Sequence, residues 1–308
     1  MRLGLLLLLT VVGCDPGPSP PRADAGDFRE SSPRALSCSA LAQTLCARLE
    51  ACAPEYAKAE IGTGSLCTTQ LRDDCLRRVG LGGSRRTFAD LETCGREVSA
   101  MACPAFLERY PDVCPPPPGG LLVGSSCAFD EQCVTTFCGR GDDTACGTCQ
   151  VPPTVGEACV GGACGRGLVC TSARVCERPG AIGDACGPNA PCGRLLFCDF
   201  DRCKPRRALD EPCGGLGECN PFDAAFCSVT LHCARARSAA LGEPCSLSAN
   251  ELTLCAPPSR CVDGRCAPAL LEGVACGSAG AHPCAGYPPE CVRGRCLVRT
   301  VETCGAVP

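Results

Sequence analysis

The sequence has no tryptophan, only two methionines and two histidines (His232 and His282), and just two lysines (Lys58 and Lys204); aromatic residues make up 4% of it. Each shortage excludes something. Without large apolar side chains, a chain of 308 residues cannot fill one sizeable core, so it must divide into small units held by other means. Two histidines give a His-based triad or a Cys/His zinc set almost nothing to draw on. A net charge of −4 supplies no basic face for phosphates, so no nucleic-acid partner is expected. No Asn-X-Ser/Thr acceptor occurs, because Asn189, Asn220 and Asn250 all lack the hydroxyl two positions on. Long apolar runs are also missing. The longest non-polar stretch, Leu3 to Val12, is broken only by Thr10. As a helix it rises about 15 Å, half of a ~30 Å hydrocarbon core, so it is too short to span a membrane.

What the sequence does have is 35 cysteines, 36 glycines and 28 prolines. Cysteine above about 8–10% marks a disulfide scaffold, and disulfides persist only in an oxidising compartment. One cysteine, Cys14, stands far ahead of the next, Cys38. Before it come a positive start (Met1, Arg2) and the short apolar run, the pattern of a signal peptide over residues 1–13. Val11-Val12-Gly13-Cys14 resembles the lipobox of bacterial lipoproteins. That resemblance implies a lipidated Cys14, cleavage in front of it, and a membrane partner reached through the lipid. The chain would then sit in a bacterial envelope, facing the periplasm or the exterior. An excess of Arg over Lys, as GC-rich coding produces, agrees with this. Residues 14–37 are Pro-rich and polar and read as a disordered tether.

From 38 to 114 the spacing is helical. Cys38, Leu41, Leu45, Leu49 and Cys52 step by 3, 4, 4 and 3, one face of a helix. Cys67, Leu71 and Cys75 repeat that logic, and a third helix is predicted from Thr87, with Asp90 completing a capping box. Cys38, Cys46, Cys52, Cys67, Cys75, Cys94, Cys103 and Cys114 fit helices stapled to one another. In spacing, this region resembles an N-terminal domain of myxobacterial lipoproteins, a likeness that implies no activity.

The stretch "CPPPPGG" marks a Pro/Gly linker over 115–122, and beyond it the sequence repeats. Six units begin near 123, 155, 182, 209, 241 and 272, and Gly stands three residues before the first cysteine in five of them, with Asp210 in the fourth. The units contain, in order, Cys127, Cys133, Cys138, Cys146 and Cys149; Cys159, Cys164, Cys170 and Cys176; Cys186, Cys192, Cys198 and Cys203; Cys213, Cys219, Cys227 and Cys233; Cys245, Cys255, Cys261 and Cys266; and Cys276, Cys284, Cys291 and Cys296, with Cys304 behind them. The fold class expected is small and disulfide-rich: a stapled α-helical domain, then an array of Cys-rich modules with little regular secondary structure. The first unit, "CAFDEQCVTTFCGRGDDTACGTC", resembles the Dickkopf N-terminal cysteine-rich region, and the other units resemble it in part. The resemblance implies a small disulfide-rich binding module. The first and last units each hold an odd number of cysteines, so at least one bond must cross a unit boundary. A staggered relay between neighbouring units, compatible with an extended rod, is the expected form.

Little in the sequence points to catalysis. Cys146-Gly-Thr-Cys149 is the single C-x2-C and lies among Gly and Thr within a module, a context for a structural bond rather than a redox pair. Asp199 with Asp201, and Asp142 with Asp143, offer two carboxylates each, short of the six to eight oxygens that Ca²⁺ takes. Arg140-Gly141-Asp142 spells an integrin-type tripeptide, too short to carry weight. No catalytic residue, metal or cofactor is therefore expected. The function expected is non-catalytic: adhesion, scaffolding or binding of a protein or surface ligand at the cell surface. The alternative is a hydrolase inhibitor, with the loop 215–227, "GLGECNPFDAAFC", as its blocking element.

Overall fold

In the computed structural model, residues 32–141, 146–215, 217–248, 251–270, 291–292 and 295–296 are described. The signal, the lipobox and most of the tether lie outside these residues, as do His282, Cys276, Cys284 and Cys304.

The first helix, α1 (Pro33–Cys52), begins earlier than expected. Residues 33–37 belong to it rather than to the tether. Ser32 caps it by accepting the Ala35 N–H at 3.2 Å, and Pro33 occupies a first-turn position where its missing N–H costs nothing. A one-turn α2 (Pro54–Tyr56) and a π-helical turn (Ala57–Ile61) follow, ended by Gly62 at φ 89°. Then come α3 (Ser65–Val79), α4 (Phe88–Ala100) and α5 (Cys103–Arg109). Thr87 caps α4 as its sequence predicts: the Asp90 carboxylate accepts the Thr87 N–H at 2.7 Å and the Thr87 hydroxyl accepts the Asp90 N–H at 3.2 Å. α1 packs on α3 and α4 around Leu49, Ile61, Leu91, Val98 and Phe106. The eight cysteines pair among themselves, as Cys38–Cys75, Cys46–Cys67, Cys52–Cys103 and Cys94–Cys114. Three of these bonds tie α1, or its end, to α3 and α5.

The segment 115–122 is held in place rather than free to flex. Gly119 N–H donates to the Cys133 carbonyl at 2.8 Å, Gly120 N–H to Gly83 at 2.7 Å and Leu121 N–H to Gln132 at 2.8 Å. A Cβ on Gly119 would lie 2.2 Å from the Gln132 backbone, so only glycine permits this approach.

The described modules share one frame. In each of the first five, the first cysteine pairs with the third and the second with the last: Cys127–Cys138 and Cys133–Cys149, Cys159–Cys170 and Cys164–Cys176, Cys186–Cys198 and Cys192–Cys203, Cys213–Cys227 and Cys219–Cys233, Cys245–Cys261 and Cys255–Cys266. The third and last cysteines face each other across short antiparallel strands, for instance Cys198 opposite Cys203 and, in the sixth unit, Cys291 opposite Cys296. The repeated Gly has a backbone reason. Gly124, Gly156, Gly183 and Gly242 have φ between 86° and 92°, and Asp210 has φ 64°, the left-handed region that glycine enters without steric cost. From that position the N–H donates to the carbonyl of the module's last cysteine, at 2.8 Å for Gly124 and 2.7 Å for Gly242.

The described modules do not string out as a rod. The first, third, fourth and fifth return to the helical domain. Gln132 of the first is fully buried, its Nε2 donating to the Gly82 carbonyl at 2.7 Å. In the third, the Arg194 and Leu195 N–H groups donate to the Glu108 carboxylate at 3.1 and 3.2 Å. In the fourth, Phe222 enters the helical core, its ring 5.2 Å from that of Tyr56, and Arg235 pairs with Glu55 at 3.2 Å. In the fifth, Arg260 interacts electrostatically with Glu60. The modules lack the apolar residues to be self-sufficient, and docking on the helices supplies burial that a rod would forgo. Among the described residues, no helix is long and apolar enough to cross a membrane.

Candidate functional site

Most polar residues of the module frame are occupied by the frame itself. The residue after each repeated glycine (or Asp210) is acidic in modules two to five. Its carboxylate accepts an N–H three residues back: Glu157 from Thr154, Asp184 from Ala181, Glu211 from Ala208 and Glu243 from Ala240, at 2.7 to 2.8 Å. These acids close turns. Their regular placement directly after the repeated turn residue is the sequence signal for that role.

What remains free lies at the tips. Just before the repeated glycine, Val123, Val155, Ile182 and Leu241 stand exposed on their turns. The hairpin of the third module is the most prominent. Its strands Leu196–Asp199 and Arg202–Pro205 are joined by Phe200 and Asp201, at φ 46° and 62°. Left-handed φ is unusual for a bulky side chain and disfavoured by about 1–2 kcal/mol. Phe200 is nevertheless 91% exposed. In the fourth module Val229 and Leu231 project similarly. The equivalent turn of the fifth is Asp263-Gly264, with positive φ at both residues.

Cys149 bonds Cys133, so the C-x2-C is not a redox pair, while Cys146 is disulfide-bonded to a partner outside the described side chains. Modules two to five close on themselves, which removes the relay through neighbouring units. His232 is exposed, its Nδ1 2.8 Å from the Thr230 carbonyl. Asp199 pairs with Lys204 at 2.7 Å, across the hairpin from the exposed turn. Asp142 and Asp143 lie outside the described residues. In loop 215–227, Phe222 does not stand at an exposed tip: it is 2% exposed, with the Arg194 guanidinium 5.4 Å from its ring centre. An apolar loop residue can dock on a neighbour, and local sequence does not distinguish that from exposure. Sulfurs of three cysteines come within 4.8 Å of one another in modules one to five, but these are stacked disulfides, whose sulfurs are not thiolate ligands.

A cleft of about 620 Å³ separates α1 and α3 from the first two modules. Leu41, Leu45 and Leu71 line one side, and Phe129, Phe137 and Leu168 the other. Charged groups intrude between them. Arg78 donates to Asp74 at 2.8 Å, lies 3.6 Å from Glu131 and sits over the Phe129 ring at 5.1 Å. Burial pushes the Glu131 carboxyl above its ordinary range, against the pull of Arg78 and Arg86. Burial likewise raises Asp74, opposed mainly by Arg78 and Arg77, and raises Asp130, opposed mainly by the Cys138 N–H.

No protein-family model matches this chain, and comparison with curated proteins and solved structures finds no match either. The likeness to the Dickkopf region therefore rests on the sequence pattern of the units alone.

Proposed function

We propose that the chain is a non-catalytic, lipid-anchored envelope protein that binds a protein or surface ligand through the tips of its module array. The observation that carries this reading is the contrast within each module. Disulfides, left-handed turn and carboxylate clasp are nearly constant, while the tips differ: Phe200 in the third module, Val229 and Leu231 in the fourth, Asp263-Gly264 in the fifth. A rigid frame with variable exposed ends is how small scaffolds recognise partners at low entropic cost. The Val11–Cys14 sequence supports the anchor. The array's docking on the helical domain fixes the tips relative to one another.

Two measurements test the proposal. Cys14→Ser should abolish incorporation of labelled palmitate and release the protein into the soluble fraction; persistent membrane attachment refutes the anchor. Chemical crosslinking in intact cells should give discrete adducts that disappear in a Phe200→Ser/Val229→Ser/Leu231→Ser variant. An adduct pattern unchanged by that variant refutes binding through the tips.

A further inference from the structure

The cleft between the helical domain and the first two modules is accounted for neither by the disulfide frame nor by the tips. Its volume, about 620 Å³, falls within the range of small-molecule sites. Its charges nearly balance. Asp74, Asp112, Asp130 and Glu131 bring four carboxylates to the lining, and Arg78, Arg86, Arg140 and Arg166 bring four guanidinium groups. A bare cation would meet the arginines and a polyanion the carboxylates, so neither is complemented. The leucine and phenylalanine walls add an apolar requirement.

Hydrogen bonding narrows the class further. Glu131 is 2% exposed, and its Oε1 has no partner within the protein, while Oε2 is the oxygen near Arg78. Arg86 donates from Nη2 to the Cys114 carbonyl at 3.0 Å, but its Nε has no partner. Arg140 Nη1 is likewise buried and unpartnered. Buried polar atoms without partners are costly, about 1–3 kcal/mol each and more when charged, so a set gathered at one cleft calls for an explanation. Here the set is one carboxylate acceptor and two guanidinium donors. The complement is a molecule with a positively charged donor and a negatively charged acceptor, joined by an apolar body.

We propose that this cleft binds a small zwitterion with apolar side chains, of the class of a short hydrophobic peptide with free termini. Its ammonium group meets Glu131, its carboxylate meets Arg140 and Arg86, and its side chains lie against the leucine and phenylalanine walls. The inference goes beyond binding at the module tips and does not depend on it.

The test is calorimetric titration of the oxidised full chain with three probes: leucyl-leucine, its N-acetyl derivative and its C-terminal amide. Leucyl-leucine should bind with a Kd below about 1 mM, and loss of either terminal charge should weaken it by about tenfold or more. Glu131→Gln should weaken leucyl-leucine by a similar factor and leave the N-acetyl form unchanged, because that form has no ammonium to lose. Arg140→Gln should affect leucyl-leucine but not the amide. Unchanged binding of the insensitive probe also shows that each variant is folded. The proposal is overturned if leucyl-leucine gives no saturable heat up to about 10 mM, or if each variant weakens all three probes equally.

Discussion

The helical domain and the modules both depend on cysteine, and they use it for opposite purposes. In the helical domain the disulfides join elements that already have an apolar interior: Leu49, Val98 and Phe106 are fully buried there. In the fourth module the buried cluster is Cys213, Cys219, Cys227 and Cys233, with Ala225 packed against it. There the sulfur bridges are the core. The difference follows from how many apolar residues each segment carries, because a unit of about 30 residues cannot bury enough surface to offset its own ordering entropy. It also explains why the modules return to the helices. Phe222, Gln132 and the Arg194–Leu195 backbone find on the helical surface the burial and hydrogen bonds that their own units cannot offer.

The largest expected effect concerns a bond that would bind the two ends of the array. Five modules pair first with third and second with last, and Cys291 faces Cys296 in the sixth as the equivalent cysteines do elsewhere. If the sixth follows that rule, Cys276 and Cys284 are consumed and Cys304 alone remains. Cys146, bonded to a partner outside the described side chains, is the one cysteine between Cys38 and Cys266 whose mate does not lie within its own unit. Non-reducing peptide mapping should recover a Cys146–Cys304 peptide. Closing so long a loop constrains the unfolded chain by about 5 kcal/mol, so Cys304→Ser should lower the melting temperature more than any other change considered below. A peptide joining Cys146 to Cys14, or a free Cys304 thiol, breaks the argument.

The contrast between staple and core predicts unequal results from removing one bond in each region. Cys46→Ala/Cys67→Ala should cost about 3 kcal/mol and leave the far-ultraviolet helical signal intact, because the apolar core remains. Cys192→Ala/Cys203→Ala should cost a similar amount overall but unfold the third module locally, seen as new proteolytic cleavage between Cys186 and Cys203 under conditions where the rest of the chain resists. Equal resistance in both variants would mean that the modules hold together without their bridges.

The turn glycines sharpen the comparison further, because here backbone conformation alone is at stake. Nothing lies within 4 Å of a Cβ built on Gly156, yet its φ is 86°. Gly156→Ala should therefore cost about 1–2 kcal/mol with no clash. Asp210 holds the same conformation with a side chain, so Asp210→Gly should stabilise the fourth module by several tenths of a kcal/mol through relieved strain. Denaturant midpoints measure both, and a shift of the same sign in the two variants contradicts the assignment.

These comparisons also show which parts of the fold the sequence made legible. The α4 cap at Thr87 and Asp90 and the 3-and-4 spacing of Cys38, Leu41 and Leu49 could be read directly, because helix periodicity and capping are local. The module frame was visible in its spacing, but the connectivity was not: four cysteines allow three pairings, and spacing does not choose among them. The start of α1 was hidden because Ser32 and Pro33, good helix-starting residues, continue a Pro-rich composition that reads as tether. The burial of Phe222 and the charged cleft depend on tertiary docking, which leaves no periodic trace in either partner.

The smallest effect separates the two regions by the sign of their pH dependence. Asp90 accepts hydrogen bonds from the Thr87 backbone and hydroxyl, which hold its carboxyl below the ordinary range. Its contribution is present above the unfolded value, about 3.9, and is lost as pH falls through the lower, folded value. Glu131 is the reverse case. Burial raises it despite Arg78 and Arg86, with Asp74 and Asp130 adding repulsion. The folded state then binds more protons than the unfolded state in the window between the unfolded value, about 4.3, and the higher folded value. Stability therefore rises as pH falls through that window. Calorimetric melting of the wild-type chain and of Glu131→Gln and Asp90→Asn variants, from pH 7.5 to pH 3, resolves the two. Removing the Glu131 charge should raise the melting temperature at neutral pH and flatten the slope above about pH 4.3. Asp90→Asn should lower it at neutral pH and act on the slope only below about pH 3.9. If Glu131→Gln steepens the loss of stability on acidification, the Glu131 carboxylate is stabilised where it lies, and burial at the cleft does not dominate its ionisation.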